Sequence, residues 1–125
     1  MKEEIKSIQE NPQALTFADV LWVQAKLQVL TGHPMGHGEL AVKENVLAMV
    51  SELMEVLAEV NWKPWKARLK PVNRDRLLME MTDALQFWAN MVNAMGFTAE
   101  DIKLALTAKW SVNLDRIDEG EVTRG

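Results

Sequence analysis

Residues 46–60 read VLAMVSELMEVLAEV. Apolar side chains at 46, 47, 49, 50, 53, 54, 56, 57 and 60 recur at three- and four-residue intervals, the period of an α-helix. They cover more than one side of that helix, and a helix apolar around most of its circumference has to be buried on more than one side. Two acids, Glu52 and Glu55, interrupt the run three residues apart and so share a face. A second run, Leu77 to Leu85 (LLMEMTDAL), repeats the pattern, with Glu80 and Asp83 again three apart. Two apolar helices, each carrying a spaced pair of acids, set the terms for the rest of the chain.

Outward from these runs the sequence is helical almost throughout. The helix holding Glu52 is expected from Glu39 or Leu40 to Val60, and the helix holding Glu80 from Arg74 to Met95, closed by Gly96 as a C-terminal cap. An earlier helix is expected from an N-cap at Thr16 to Leu30, and a last one from an N-cap at Thr98 to about Arg116. Gly and Pro make 33–38 a loop, Pro64 breaks the chain within Asn61–Lys66, and 67–73 reads as a basic loop or short turn. No clean apolar/polar alternation signals a strand. The fold class is therefore all-α: an antiparallel four-helix, bundle-like subunit. One domain spans 1–125, with a core of about 16–117 and a polar tail at 118–125. A bundle this small has little room to bury two helices that are apolar on several sides, so a homodimer or higher oligomer is expected.

Composition narrows the function. With 14 Lys and Arg against 18 Asp and Glu, the net charge of -4 argues against nucleic-acid binding, which needs a basic surface. The absence of cysteine excludes disulfides, thiolate zinc sites and a cysteine nucleophile, and fits a reducing, cytoplasmic setting. Neither a signal core nor an apolar stretch of spanning length is visible, so no membrane partner is expected. His33 and His37 fall in the Gly/Pro loop and read as loop residues, not metal ligands. Trp88 and Trp22 are expected in the bundle or dimer interface, and Trp62 and Trp65 beside a site.

Glu52, Glu55, Glu80 and Asp83 are the acids out of place. Carboxylates on an apolar helix are paired with cations, bound to metal, or turned to solvent. No Lys or Arg stands three or four residues from Glu52 or Glu55, while Arg76 stands four from Glu80 and offers a local ion pair. Facing pairs would gather oxygen ligands suited to hard cations such as magnesium, calcium or manganese. Glu80, Asp83, Gln86 and Asn90 form one polar stripe with Phe87 beside it, and Gln24 and Gln28 share a stripe on the first helix. Amides beside an aromatic ring suit a flat polar base; surface amides at a helix edge are the other reading. Lys63 and Lys66, with Lys109, Asn113 and Arg116 at spacings of four and three, supply cations for a polyphosphate or solvated charge.

These segments, in order, resemble the all-α nucleoside triphosphate pyrophosphohydrolases, which include the MazG-type enzymes and the dimeric dUTPases. The shared signature is ExxE on one helix and ExxD on the next, here Glu52-Leu53-Met54-Glu55 and, after 24 intervening residues, Glu80-Met81-Thr82-Asp83. Three more segments resemble the dimeric dUTPase branch. Trp62-Lys63-Pro64-Trp65-Lys66 is similar to its Trp-Lys-Trp-Trp-Lys, with Pro64 for a Trp. Lys109-x-x-x-Asn113-x-x-Arg116 is similar to its C-terminal phosphate motif, from which Trp110 and Ile117 depart. Gln24-Ala25-Lys26-Leu27-Gln28 resembles its Gln-x-x-Leu-Asn, with Gln28 for Asn. Asp83-x-x-Gln86-Phe87 carries Gln where that branch has His.

The resemblance implies magnesium (manganese as substitute) held by Glu52, Glu55, Glu80 and Asp83, with Glu52 or Glu55 also orienting or deprotonating the attacking water. It implies Lys63, Lys66, Lys109 and Arg116 on the phosphates, and Gln24, Gln28, Phe87 and Asn113 on base and sugar. The implied reaction is hydrolysis of dUTP, or a related deoxynucleoside triphosphate, to the monophosphate and pyrophosphate by a homodimer. The rivals are a MazG-like enzyme with other or broader base preference, such as dCTP, and a non-catalytic helical dimer that binds nucleotide or protein.

Overall fold

The computed structural model describes residues 1–32, 36–66 and 70–120. The reading of His33 as a loop residue, of 67–69 as part of a basic loop, and of 121–125 as tail lies outside the described residues. Among the described residues five α-helices are present: α1 (Lys2–Gln9), α2 (Phe17–Leu30), α3 (Gly38–Ala58), α4 (Arg74–Ala94) and α5 (Ala99–Asp118), with a 3-10 turn at Pro12–Ala14 between the first two. Helices α2 to α5 are the four expected. The short α1 is an addition: Glu3 and Glu4 in its first turn and Lys6 in its last suit the helix dipole, and Ile5 is its one buried residue. No helix among the described residues is long and apolar enough to cross a membrane.

Local chemistry sets most of the boundaries. Thr16 Oγ1 accepts the Asp19 N–H at 3.1 Å and Asp19 Oδ2 accepts the Thr16 N–H at 2.9 Å, a reciprocal capping box. Thr98 and Asp101 repeat it at the start of α5, at 3.2 and 2.8 Å. Asn73 Oδ1 accepts the Arg76 N–H at 3.1 Å and opens α4. Helix α4 ends where Gly96 takes a φ of 73°, a left-handed conformation open to glycine at little cost.

Helices α3 and α4 form an antiparallel hairpin whose register can be read from three polar rungs. Asn90 Nδ2 donates to Asn45 Oδ1 at 3.1 Å. Glu52 meets Glu80 and Asp83. Arg76 lies 3.1 Å from Glu59. Positions 45, 52 and 59 ascend in sevens while 90, 83 and 76 descend in sevens, so each rung lies two turns from the next. Helix α2 packs on the far part of α4, where Asn93 Nδ2 donates to the Leu21 carbonyl at 2.9 Å. Leu21, Ala89 and Val92 form the core there, enclosed by Phe17, Val20, Trp88, Ala99 and Ile102. Trp88 meets Phe17 edge-on, centroids 5.8 Å apart, as expected for a bundle tryptophan.

That core is small, and much apolar surface stays uncovered. On α3 the stripe Leu40, Leu47 and Met54 faces away from α4 and is 57–62% exposed. Leu78, Met81 and Leu85 on α4 are exposed too. Beyond Ile102, every described residue of α5 but Asn113 is exposed, including Leu106, Trp110, Leu114 and Ile117. Contiguous apolar faces on three helices are more than an isolated small domain ordinarily leaves in water.

The buried amide rung gives the first expected outcome. Asn45 Nδ2 donates to the Ala41 carbonyl at 2.8 Å, which fixes Asn45 Oδ1 as acceptor for Asn90. Asn45→Ala strands the Asn90 donor in a site only 3% exposed, and should destabilise the chain by about 1–3 kcal/mol in urea unfolding. An unchanged midpoint would show that the rung contributes nothing.

Candidate active site

The middle rung of the hairpin brings three acids together. Ligand oxygens of Glu52, Glu80 and Asp83 all lie within 4.8 Å of one another, and all three residues are half-buried. Glu80 and Asp83 are one turn apart on α4, and Glu52 meets them from α3. Glu55, one turn along α3, is exposed and stands outside this triad. Its charge still acts there: burial, then Asp83, Glu55, Glu52 and Glu59 in decreasing order, raise the Glu80 carboxyl above its ordinary value.

Arg76 does not make the local pair that its spacing to Glu80 offered. It reaches across the hairpin to Glu59, whose side chain is only 16% exposed, because the antiparallel register sets 76 opposite 59. Among the described residues no cation pairs with Glu52, Glu80 or Asp83. Three converging carboxylates without a counter-charge form a donor set that fits a hard divalent cation and suits nothing neutral.

The lysines lie elsewhere. Pro64 occupies the second position of a turn closed by the Lys66 N–H to the Lys63 carbonyl at 3.1 Å, where its fixed φ is favourable. The departure from tryptophan at 64 thus has a local reason: it folds Lys63 and Lys66 onto one turn. Both line a cavity of about 850 Å³ on the side of α3 opposite Glu52, floored by Met54, Leu57 and Ala58. Trp62 and Trp65 meet edge-on at 5.8 Å beside it.

The remaining candidates are spread over α2, α4 and α5. Gln24 is buried and Gln28 and Phe87 are half-buried, whereas Gln86 is exposed. Lys109 and Arg116 are exposed on α5, and neither pairs with an acid among the described residues nor lines the lysine cavity. Asn113 is half-buried between them. Within one chain, then, the structure assembles three of the four acids and the two loop lysines, but does not join these groups to the α5 cations. Sequence reasoning passed over Asn45, which lies two turns before Glu52 on the same face. It placed Asn90 on a polar stripe without seeing that its Oδ1 is buried with no partner among the described residues.

A family model described as dUTPase matches residues 17–100. The chain belongs to the all-α dUTPase family. The match to the dUTPase family takes in the α2 glutamines, both acid pairs, Lys63, Lys66 and Phe87, and stops short of Lys109, Asn113 and Arg116. No curated protein and no solved structure matches the chain.

Proposed function

We propose that the chain hydrolyses dUTP, or a closely related deoxynucleoside triphosphate, to the monophosphate and pyrophosphate, as a magnesium-dependent homodimer in a cytoplasmic setting. The observation that carries this reading is the convergence of Glu52, Glu80 and Asp83 without a counter-charge, in a chain of the dUTPase family. Glu52, Glu80 and Asp83 would hold the metal, with Glu55 completing the set. Magnesium, when bound, neutralises phosphate oxygens and makes nearby water more acidic.

The chain's own groups supply the rest. Glu52 or Glu55 would orient the attacking water and accept its proton, and the solvent exposure of Glu55 one turn from the triad favours Glu55. Lys63 and Lys66, across α3 from the triad of their own chain, would neutralise the phosphates of a substrate bound between two subunits, and Lys109 and Arg116 would add charge from the exposed α5. Gln24, Gln28 and Asn113 offer amide groups to base and sugar, with Phe87 available for stacking. Pairing of several donors with one base edge is what separates uracil from cytosine, because the wrong base leaves buried polar groups unpaired.

A nucleotide panel with and without EDTA tests this. With magnesium, dUTP should be cleaved at least about tenfold faster than dCTP or dATP, with pyrophosphate released, and EDTA should stop turnover. Faster cleavage of dCTP would transfer the assignment to a MazG-like enzyme of other specificity, a reading favoured only by the Gln28 and Gln86 replacements. Glu55→Gln should lower kcat by about 10²–10³-fold with the fold intact. No pyrophosphate from any nucleotide would leave the non-catalytic dimer.

A further inference from the structure

One side chain after α3 ties Lys70, shortly before α4, back to itself. Asn61 Nδ2 donates to the Lys70 carbonyl at 2.7 Å, and Asn61 Oδ1 accepts the Lys70 N–H at 3.1 Å. A single amide therefore satisfies both backbone groups of a residue nine positions on, as a neighbouring strand would. Lys63 and Lys66 fall in sequence within the stretch whose ends are joined in this way. Inside it the Lys63–Lys66 turn, the edge-on Trp62–Trp65 pair and the Lys63 ammonium 5.4 Å from the Trp62 ring centre restrict the conformation further. Lys63, Lys66 and Lys70 all line the cavity of about 850 Å³, and so does Asn61. Three lysines around one cavity repel one another, and an open chain would relax by spreading them.

We propose that Asn61 is a positioning residue: by clamping the backbone of Lys70 it holds Lys63, Lys66 and Lys70 around one cavity as a receptor for an oligophosphate anion. The oligophosphate rests on the proposed triphosphate substrate, while the clamp itself rests on the two hydrogen bonds. Asn61 and Lys70 match none of the segments that resemble the dUTPases. The cavity lies across α3 from the carboxylates of its own chain, so it acts on a substrate whose metal is held by the other subunit of the proposed dimer, and the clamp governs anion affinity while other groups carry the chemical step. Preorganisation of this kind acts by removing the ordering cost from binding.

The test is calorimetric titration of inorganic pyrophosphate into the full chain in EDTA, where the carboxylates hold no metal, for wild type, Asn61→Ala and Lys70→Ala. Wild type should bind, and both variants should bind about tenfold more weakly, the first through lost order and the second through lost charge. In turnover assays Asn61→Ala should raise KM about tenfold with kcat within about twofold, a split that general damage to the fold would not produce. The magnesium-induced rise in Tm should be the same in Asn61→Ala as in wild type. If Asn61→Ala does not fold, Asn61→Ser, neutral and too short to reach both backbone groups of Lys70, should show the same weakening. Unchanged pyrophosphate affinity in the Asn61 variant, absence of binding by wild type, or joint loss of the magnesium response overturns the proposal. Should pyrophosphate binding depend on Asn61 while no nucleotide is cleaved, the clamp stands and the hydrolase reading falls.

Discussion

Glu80→Gln should make the metal-free protein melt higher and at the same time make it inactive. Glu80 is the acid whose charged form the fold opposes, through burial and through Asp83, Glu55, Glu52 and Glu59. Its folded pKa lies above its unfolded one, so the folded chain binds this proton more tightly. The stability it contributes is complete below the unfolded value and is lost as pH rises through the folded value. At neutral pH the neutral amide escapes that loss, and the metal-free Tm rises. With magnesium the order reverses. Ligand at 100 times its Kd stabilises wild type by about 2.7 kcal/mol, and the variant, lacking one of three converging oxygens, should gain little. Loss of charge stabilisation worth several kcal/mol should lower kcat/KM by about 10³-fold or more. A metal-free Tm that falls, or a magnesium response that survives, would contradict the role given to Glu80. Differential scanning fluorimetry with and without EDTA reads both signs.

Leu47→Glu and Trp110→Glu should each convert a dimer to a monomer and lower Tm by about 10 °C or more. Leu47 is the centre of the uncovered α3 stripe, 62% exposed, and Trp110 the centre of the uncovered α5 face, 57% exposed. In an isolated chain a glutamate at either position would be harmless or mildly favourable. If a second copy covers these faces, each charge is buried without a partner, twice per dimer by symmetry. Wild type should sediment at twice the 14.2 kDa chain mass and show a Tm that rises with concentration. A wild type that sediments as a monomer, or variants as stable as wild type, would remove the partner from the proposal.

The helices were legible because their signals are local. Thr16, Thr98 and Gly96 act over three or four residues, and the structure places each where its cap chemistry is needed. Helix α1 escaped notice because its eight residues carry only Ile5 and Ile8 as apolar side chains, too short a run to establish a period. The acid pairs were legible because three-residue spacing puts carboxylates on one face whatever the helix packs against. Their partners were not. Whether Arg76 meets Glu80 on its own helix or Glu59 on the next depends on the register of α3 against α4, and periodicity carries no register. The same holds for Asn45 with Asn90. The side of α3 taken by Lys63 and Lys66 depends on how the chain turns after Val60, which the Pro64 turn and the Asn61 clamp decide between them.

The three rungs of the α3–α4 hairpin differ in sign. The outer two attract, amide to amide at 45 and 90 and guanidinium to carboxylate at 76 and 59. The middle one repels. Its oxygens lie within 4.8 Å of one another, well inside the screening length of about 8 Å at physiological ionic strength, so dissolved monovalent salt cannot hide these charges from each other. The hairpin behaves as a spring compressed between two fasteners, each two turns away. Weakening either fastener should let the acids drift apart and cost metal affinity at a distance, although neither Asn45 nor Arg76 touches a ligand oxygen. The grip on the ion is thus set partly by residues whose only work is to keep two helices from separating.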